Sequence, residues 1–186
     1  MAKWASDKKE TEMMRVWKQM YKAKNVQIYS RDAIEKLLHE EKTNLDKVAV
    51  ISFYDPPSRR GVDKDYKPVD YFGKANRLFQ IPLHDIDIEI LADFDLTYET
   101  YLPEVDKLAE FIYAAKSDKL DIICQCEYGQ SRSAGCAAAI REHFNSDGIK
   151  VFADYRYYPN QLVYNKVYDA LEEHIKRRTE RKADNC

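Results

Sequence analysis

Cys126 and Arg132 stand six positions apart in the run Cys126-Glu-Tyr-Gly-Gln-Ser-Arg132-Ser133. The apolar, β-prone Ile122-Ile123-Cys124 precedes this run, and an alanine-rich stretch of helical character follows it. The order predicts a strand, a tight loop and the N-terminus of a helix. A helix start leaves several backbone N–H groups without partners and carries partial positive charge, so it accepts an anion. The same field favours a thiolate over a thiol, and a thiolate is a nucleophile. A guanidinium fork matches the oxygens of a phosphoryl group. Gly129, in mid-loop, lets the backbone turn its amides inward without a Cβ in the way. Ser131 and Ser133 place hydroxyls on either side of the arginine. A cation at a helix start opposes the dipole, and a bound anion resolves that conflict. The chemistry indicated is phosphoryl transfer through a cysteine, with no cofactor and no metal.

The rest of the chain has to hold that loop. Val26 to Tyr29 alternates like a short strand, and Ser30 then offers an N-cap to a helix over 31–41 with Ile34, Leu37 and Leu38 on one face. Val48 to Phe53 is a continuous apolar run, the signature of a strand buried on both faces. Tyr54-Asp55-Pro56-Pro57 ends it and opens a polar stretch to about Asp70 with the composition of a long loop. Arg77 to Leu83 reads as a further strand, residues 88–98 show no clear period, and Thr100 to Lys116 has a helical stripe. After the central loop come a short Val151-Phe152 segment and a helix from about Asn160 to Arg178. Strands alternating with helices predict an α/β layered domain, and in such sheets sites form at the C-terminal ends of strands, where Cys126 falls.

With 186 residues, one domain is expected; 33% charged residues and a formal net charge of −2 create no global field toward nucleic acid or an acidic membrane. The N-terminus lacks the apolar core of a signal peptide, and no apolar run approaches membrane-spanning length. Of the four cysteines, Cys124, Cys126 and Cys136 crowd one loop and Cys186 ends the chain, a usage that suits a reducing cytoplasm better than a disulfide framework.

With its context, the loop Cys-Glu-Tyr-Gly-Gln-Ser-Arg-Ser resembles the phosphate-binding loop of the protein tyrosine phosphatase superfamily. Its Arg-Ser ending is most similar to the dual-specificity-like branch and its small prokaryotic relatives. The resemblance implies an α/β fold with a mixed central sheet flanked by helices. It divides the chain into an N-terminal helical extension (1–25), a phosphatase domain (26–180) and a polar tail (181–186). It also implies roles. Cys126 attacks phosphorus, Arg132 clamps two oxygens, and the backbone of Glu127, Tyr128, Gly129, Gln130, Ser131 and Arg132 cradles the group. Ser133 hydrogen-bonds the departing thiolate, and Asn160, in Tyr158-Pro159-Asn160, braces the loop. The general acid is expected at Asp85, with Asp87 as the alternative and Asp93 and Asp95 behind them; His84 is a neighbour rather than a base. Gln125 departs from the pattern, because the superfamily usually has histidine before the cysteine. The implied substrate is a phosphorylated protein, phosphotyrosine first, or a small phosphomonoester. Two other readings stay open: a phosphate-binding module without turnover, and a rhodanese-like sulfur carrier.

Overall fold

A computed structural model describes residues 25–41, 43–56 and 67–183. The expected N-terminal helical extension lies outside those residues, as do the middle of the long loop and Cys186. The described chain runs β1 (Val26–Tyr29), α1 (Arg31–His39), β2 (Val48–Tyr54), β3 (Arg77–Pro82), a 3₁₀ helix (Ile88–Phe94), α2 (Val105–Ser117), β4 (Asp121–Gln125), α3 (Arg132–Asn145), α4 (Ile149–Phe152) and α5 (Gln161–Ala183).

The strands form one sheet in the order β1-β4-β2-β3, so the strand that leads to Cys126 is internal. Every described pairing is parallel. This is the α/β fold of a central sheet flanked by helices that the resemblance implied, its strands parallel throughout the described residues. The physical reason for the parallel pairing is connection length: each described strand is joined to the next by a crossover rather than a hairpin, so neighbours run the same way. A parallel sheet must be covered on both faces, and here it is. Ala49, Ile51, Phe53, Ile122, Cys124 and Cys126 face a large core shared with Leu108 and Ile112 of α2, Ile140 of α3 and Leu171 of α5. Val50 and Ile123 face the other way, onto Ile34 and Leu38 of α1 and onto Val69 and Tyr71.

Local rules account for most element ends. Ser30 Oγ accepts a hydrogen bond from Ala33 N at 3.1 Å, the N-cap expected for α1. α2 starts at Val105, later than the hydrophobic stripe suggested. The residue before Pro103 is disfavoured from helical geometry, and Thr97 and Thr100 wind their own turn, with Thr97 N donating to Thr100 Oγ1 at 2.8 Å. α5 continues to Ala183, so the first residues read as polar tail extend the helix, which good helix formers such as Arg181 favour. Among the described residues no helix is long and apolar enough to cross a membrane.

Candidate active site

Cys126 is the first residue past β4, and its N–H still donates to Tyr29 O at 3.3 Å, so strand pairing sets its position. Its thiol is buried, with Sγ 3.0 Å from Ser133 Oγ in the first turn of α3. Between them the loop leans on the β1–α1 junction. Arg31 N donates to Glu127 O at 3.0 Å, and the Arg31 guanidinium lies 3.6 Å from the Glu127 carboxylate. Gly129 has φ +68, and a Cβ there would meet Ser30 N at 2.5 Å and Tyr29 C at 2.8 Å. Only glycine fits both the left-handed backbone and the close approach. On the other side Tyr158 N donates to Gln130 O at 2.9 Å, and Asn160 N donates to Ser131 O at 3.2 Å. Gly135 admits that contact, because a Cβ at 135 would meet Asn160 O at 2.5 Å.

Two sets of donors remain. Among the described residues, the backbone N–H groups from Tyr128 to Arg132 have no acceptor. Arg132, 1% exposed, donates from one terminal nitrogen to Asp55 Oδ1 at 2.7 Å and to Leu83 O at 2.6 Å. Its Nε lies 3.6 Å from Asp85 Oδ2, too far for a hydrogen bond, and is a buried polar atom left without a partner. In the sequence Asp55 reads only as part of a strand-breaking turn. The available signal was its place at the C-terminal exit of an apolar central strand, the edge where sites form in α/β sheets.

Asp85 stands over the loop. Its Oδ1 accepts from Ser131 Oγ at 2.5 Å and from Asn160 Nδ2 at 3.2 Å. Asn160 also donates to Ile86 O at 2.9 Å and accepts from Val163 N at 2.9 Å. Asn160 therefore caps α5 and joins the Asp85 segment to the Cys126–Arg132 loop, its side chain holding the first and its backbone N–H the second. Asp87 precedes the 3₁₀ helix, and Asp93 and Asp95 lie at its far end, Asp95 as a left-handed C-cap. His84 packs its ring 4.9 Å from that of Phe94. Burial lowers the His84 pKa below 6.5, with Asp55 opposing the shift and Arg132 adding to it.

Gln125, buried on the opposite face of the sheet from the thiol, accepts from Ser52 Oγ at 2.6 Å and from Tyr71 OH at 3.3 Å. Burial raises the Tyr71 pKa well above that of an ordinary phenol, which keeps the phenol a donor. Cys124 and Cys136 are buried free thiols, and burial pushes Cys124 up, its hydrogen bond with Cys136 adding to the shift. Tyr128 projects from the loop, 75% exposed.

Fold and site together define an α/β domain with a buried thiol at the C-terminal edge of an internal parallel strand, inside a strand–loop–helix rich in free N–H donors. Two solved structures similar in fold are crystal structures of PTPMT1. The one in complex with PI(5)P is 14% identical with a TM-score of 0.43, the match covering 82% of this chain and 94% of that one. The other, without a named ligand, is 14% identical with a TM-score of 0.42, covering 84% of this chain and 95% of that one. No protein-family model matches the chain, and no curated protein does.

Proposed function

We propose that the chain is a cysteine-dependent phosphomonoester hydrolase of the protein tyrosine phosphatase superfamily, dual-specificity-like branch, working through a cysteinyl-phosphate. The observation that carries this reading is Arg132 Nε, an unpaired N–H of a buried guanidinium that closes the same loop as a buried thiol and a run of free amides. Leaving such a donor unpaired costs about 1–3 kcal/mol or more, and an oxyanion at the loop offsets it.

In the first step the Cys126 thiolate attacks phosphorus in line, the P–O bond breaks, and Asp85 gives its proton to the departing oxygen. Arg132 and the loop amides take up the charge that develops on the phosphoryl oxygens. In the second step water attacks phosphorus, Asp85 takes a proton from it, and the P–S bond breaks to release phosphate. Ser133 Oγ, 3.0 Å from Sγ, donates to the departing thiolate. Asn160 holds Asp85 over the loop in both steps. Within this class phosphotyrosine in protein is the favoured substrate. Exposed Tyr128 and Tyr158 flank the loop and offer aromatic surface to a phenyl ring. The setting is a reducing cytoplasm, which keeps Cys126 and its neighbouring thiols free.

The test is hydrolysis of p-nitrophenyl phosphate at mildly acid pH by the wild type and by Cys126→Ser. The expected result is turnover by the wild type alone; equal rates would sink the reading. One observation favours a second reading, a phosphate-binding module without turnover: Asp85 is held by two donors. Phosphopeptide binding without hydrolysis would select it.

A further inference from the structure

A groove of about 740 Å³ opens from the phosphate loop at Asp85 and Ser131 and runs between residues 86–90 and the start of α5. That volume falls within the roughly 300–1,000 Å³ of ligand pockets. Ile88, Ile90 and Tyr158 line it while 58%, 40% and 74% exposed, although apolar groups of that size ordinarily pack inward. Leu91, the next residue, does pack inward. Asp87 and Glu89 alternate with the two isoleucines and also line the groove, and no lysine or arginine lines it among the described residues. The wall is anchored at its start, where Asn160 Nδ2 donates to Ile86 O at 2.9 Å.

We propose that this groove binds the polypeptide flanking the phosphorylated residue and selects segments that carry lysine or arginine together with aliphatic side chains. The inference rests on the phosphatase reading of Cys126 and extends it to substrate choice. Three arguments support it. The groove is continuous with the candidate phosphate loop, so a chain whose phosphate sits over Cys126 must leave past it. Its exposed isoleucines and tyrosine give aliphatic and aromatic area at the rim, which marks a contact surface rather than a solvated loop. Its carboxylates Asp87 and Glu89 complement cations and repel a ligand with several phosphates, such as a polyphosphorylated headgroup.

An exposed carboxylate–cation pair changes affinity by a factor of about two to five, and two such pairs give a preference of about tenfold at low salt. The test measures kcat/KM on phosphotyrosine peptides flanked by arginine and leucine, by alanine, or by glutamate, together with p-nitrophenyl phosphate and a soluble phosphoinositide. The expected order is basic-aliphatic, then neutral, then acidic, with the preference shrinking as salt is raised. Glu89→Gln combined with Ile88→Ser should flatten the order and leave p-nitrophenyl phosphate turnover unchanged. Glu89→Lys should move the preference toward the acidic peptide. Equal kcat/KM on the three peptides, or faster turnover of the phosphoinositide, overturns the proposal. Absence of p-nitrophenyl phosphate turnover sinks the phosphatase reading instead. In that case anisotropy of the same peptides, labelled, on Cys126→Ser reads the groove by itself: the same order supports it and a flat order overturns it.

Discussion

Arg132 and Asp55, 77 positions apart in the chain, meet at 2.7 Å between a terminal guanidinium nitrogen and Oδ1. The arginine is buried and the aspartate half exposed, so the carboxylate reaches in from the rim to aim the guanidinium. A charge-assisted hydrogen bond of this kind contributes about 1.5–3 kcal/mol. Asp55→Asn should therefore lower kcat/KM for p-nitrophenyl phosphate by about ten- to a hundredfold, with KM rising as the arginine loses its aim. A change in melting temperature alone, with kcat/KM intact, would rule out this positioning role.

In the proposed mechanism Ser133 acts in the second step rather than the first, because its hydroxyl lies 3.0 Å from the sulfur that must leave. Ser133→Ala should slow breakdown of the cysteinyl-phosphate while sparing its formation. In rapid mixing, p-nitrophenol should appear as a burst followed by a steady rate about ten- to a hundredfold below wild type, the span of one lost hydrogen bond to a charged group. A lower rate without a burst would place the serine elsewhere in the mechanism.

Asp85 is the acid if its loss depends on the leaving group. Asp85→Asn should reduce kcat for phenyl phosphate by about 10²–10⁴-fold, the usual contribution of a positioned acid. An activated ester, whose leaving oxygen needs no proton, should lose far less. The same profile from Asp87→Asn, with Asp85→Asn near wild type, would move the acid to position 87.

Gly129 is required twice over, by its φ of +68 and by the backbone of Ser30 beneath it. Gly129→Ala should destabilise the fold by about 2 kcal/mol or more, from left-handed strain and from overpacking against main chain. Urea unfolding measures this directly. A loss under about 0.5 kcal/mol, the range of ordinary surface substitutions, would show that the loop does not lie against the β1–α1 junction.

His174 supplies a pH dependence away from the thiol. It stacks on Tyr113 with ring centroids 4.4 Å apart. Burial lowers its pKa below 6.5, with Arg178 adding to the shift and Glu110 opposing it. The folded chain thus takes up this proton less readily than the unfolded chain. The stability linked to neutral His174 is fully present above 6.5 and is lost as pH falls through the folded pKa. Urea midpoints at neutral pH and below 6.5 should show a smaller acid-side fall for His174→Phe than for the wild type. Equal falls would dismiss the linkage.

What the sequence made legible was local. The Ser30 cap, the strand before Cys126, the glycine in the loop and the Ser133 hydroxyl are each decided by residues a few positions away. That Asn160 and Asp85 would lie near the loop was also readable, through the loop resemblance, although the bond between them was not. What escaped depends on which strands become neighbours. Asp55 reaches Arg132 only because β2 lies beside β4, and composition carries no record of that adjacency. Gln125 looked like a defect beside the nucleophile; the fold turns it to the other face, where Ser52 and Tyr71 occupy its oxygen. Residues 88–94 lack a period because a 3₁₀ helix places its side chains every third residue over too short a run to register.

The alternation along β4 has a consequence for how the protein can be assayed. Cys124 and Cys126 face α3 and α5, while Ile123 and Gln125 face α1. A slip of one residue between β4 and its neighbours would bring Gln125 to the thiol's place and turn Cys126 toward α1. Such a chain would keep its helices and much of its compactness, and circular dichroism would pass it as native. Turnover would not. If the proposed hydrolysis holds, specific activity in a refolding experiment counts the molecules whose ladder closed in the one correct frame, and the thiol doubles as an internal marker of strand alignment.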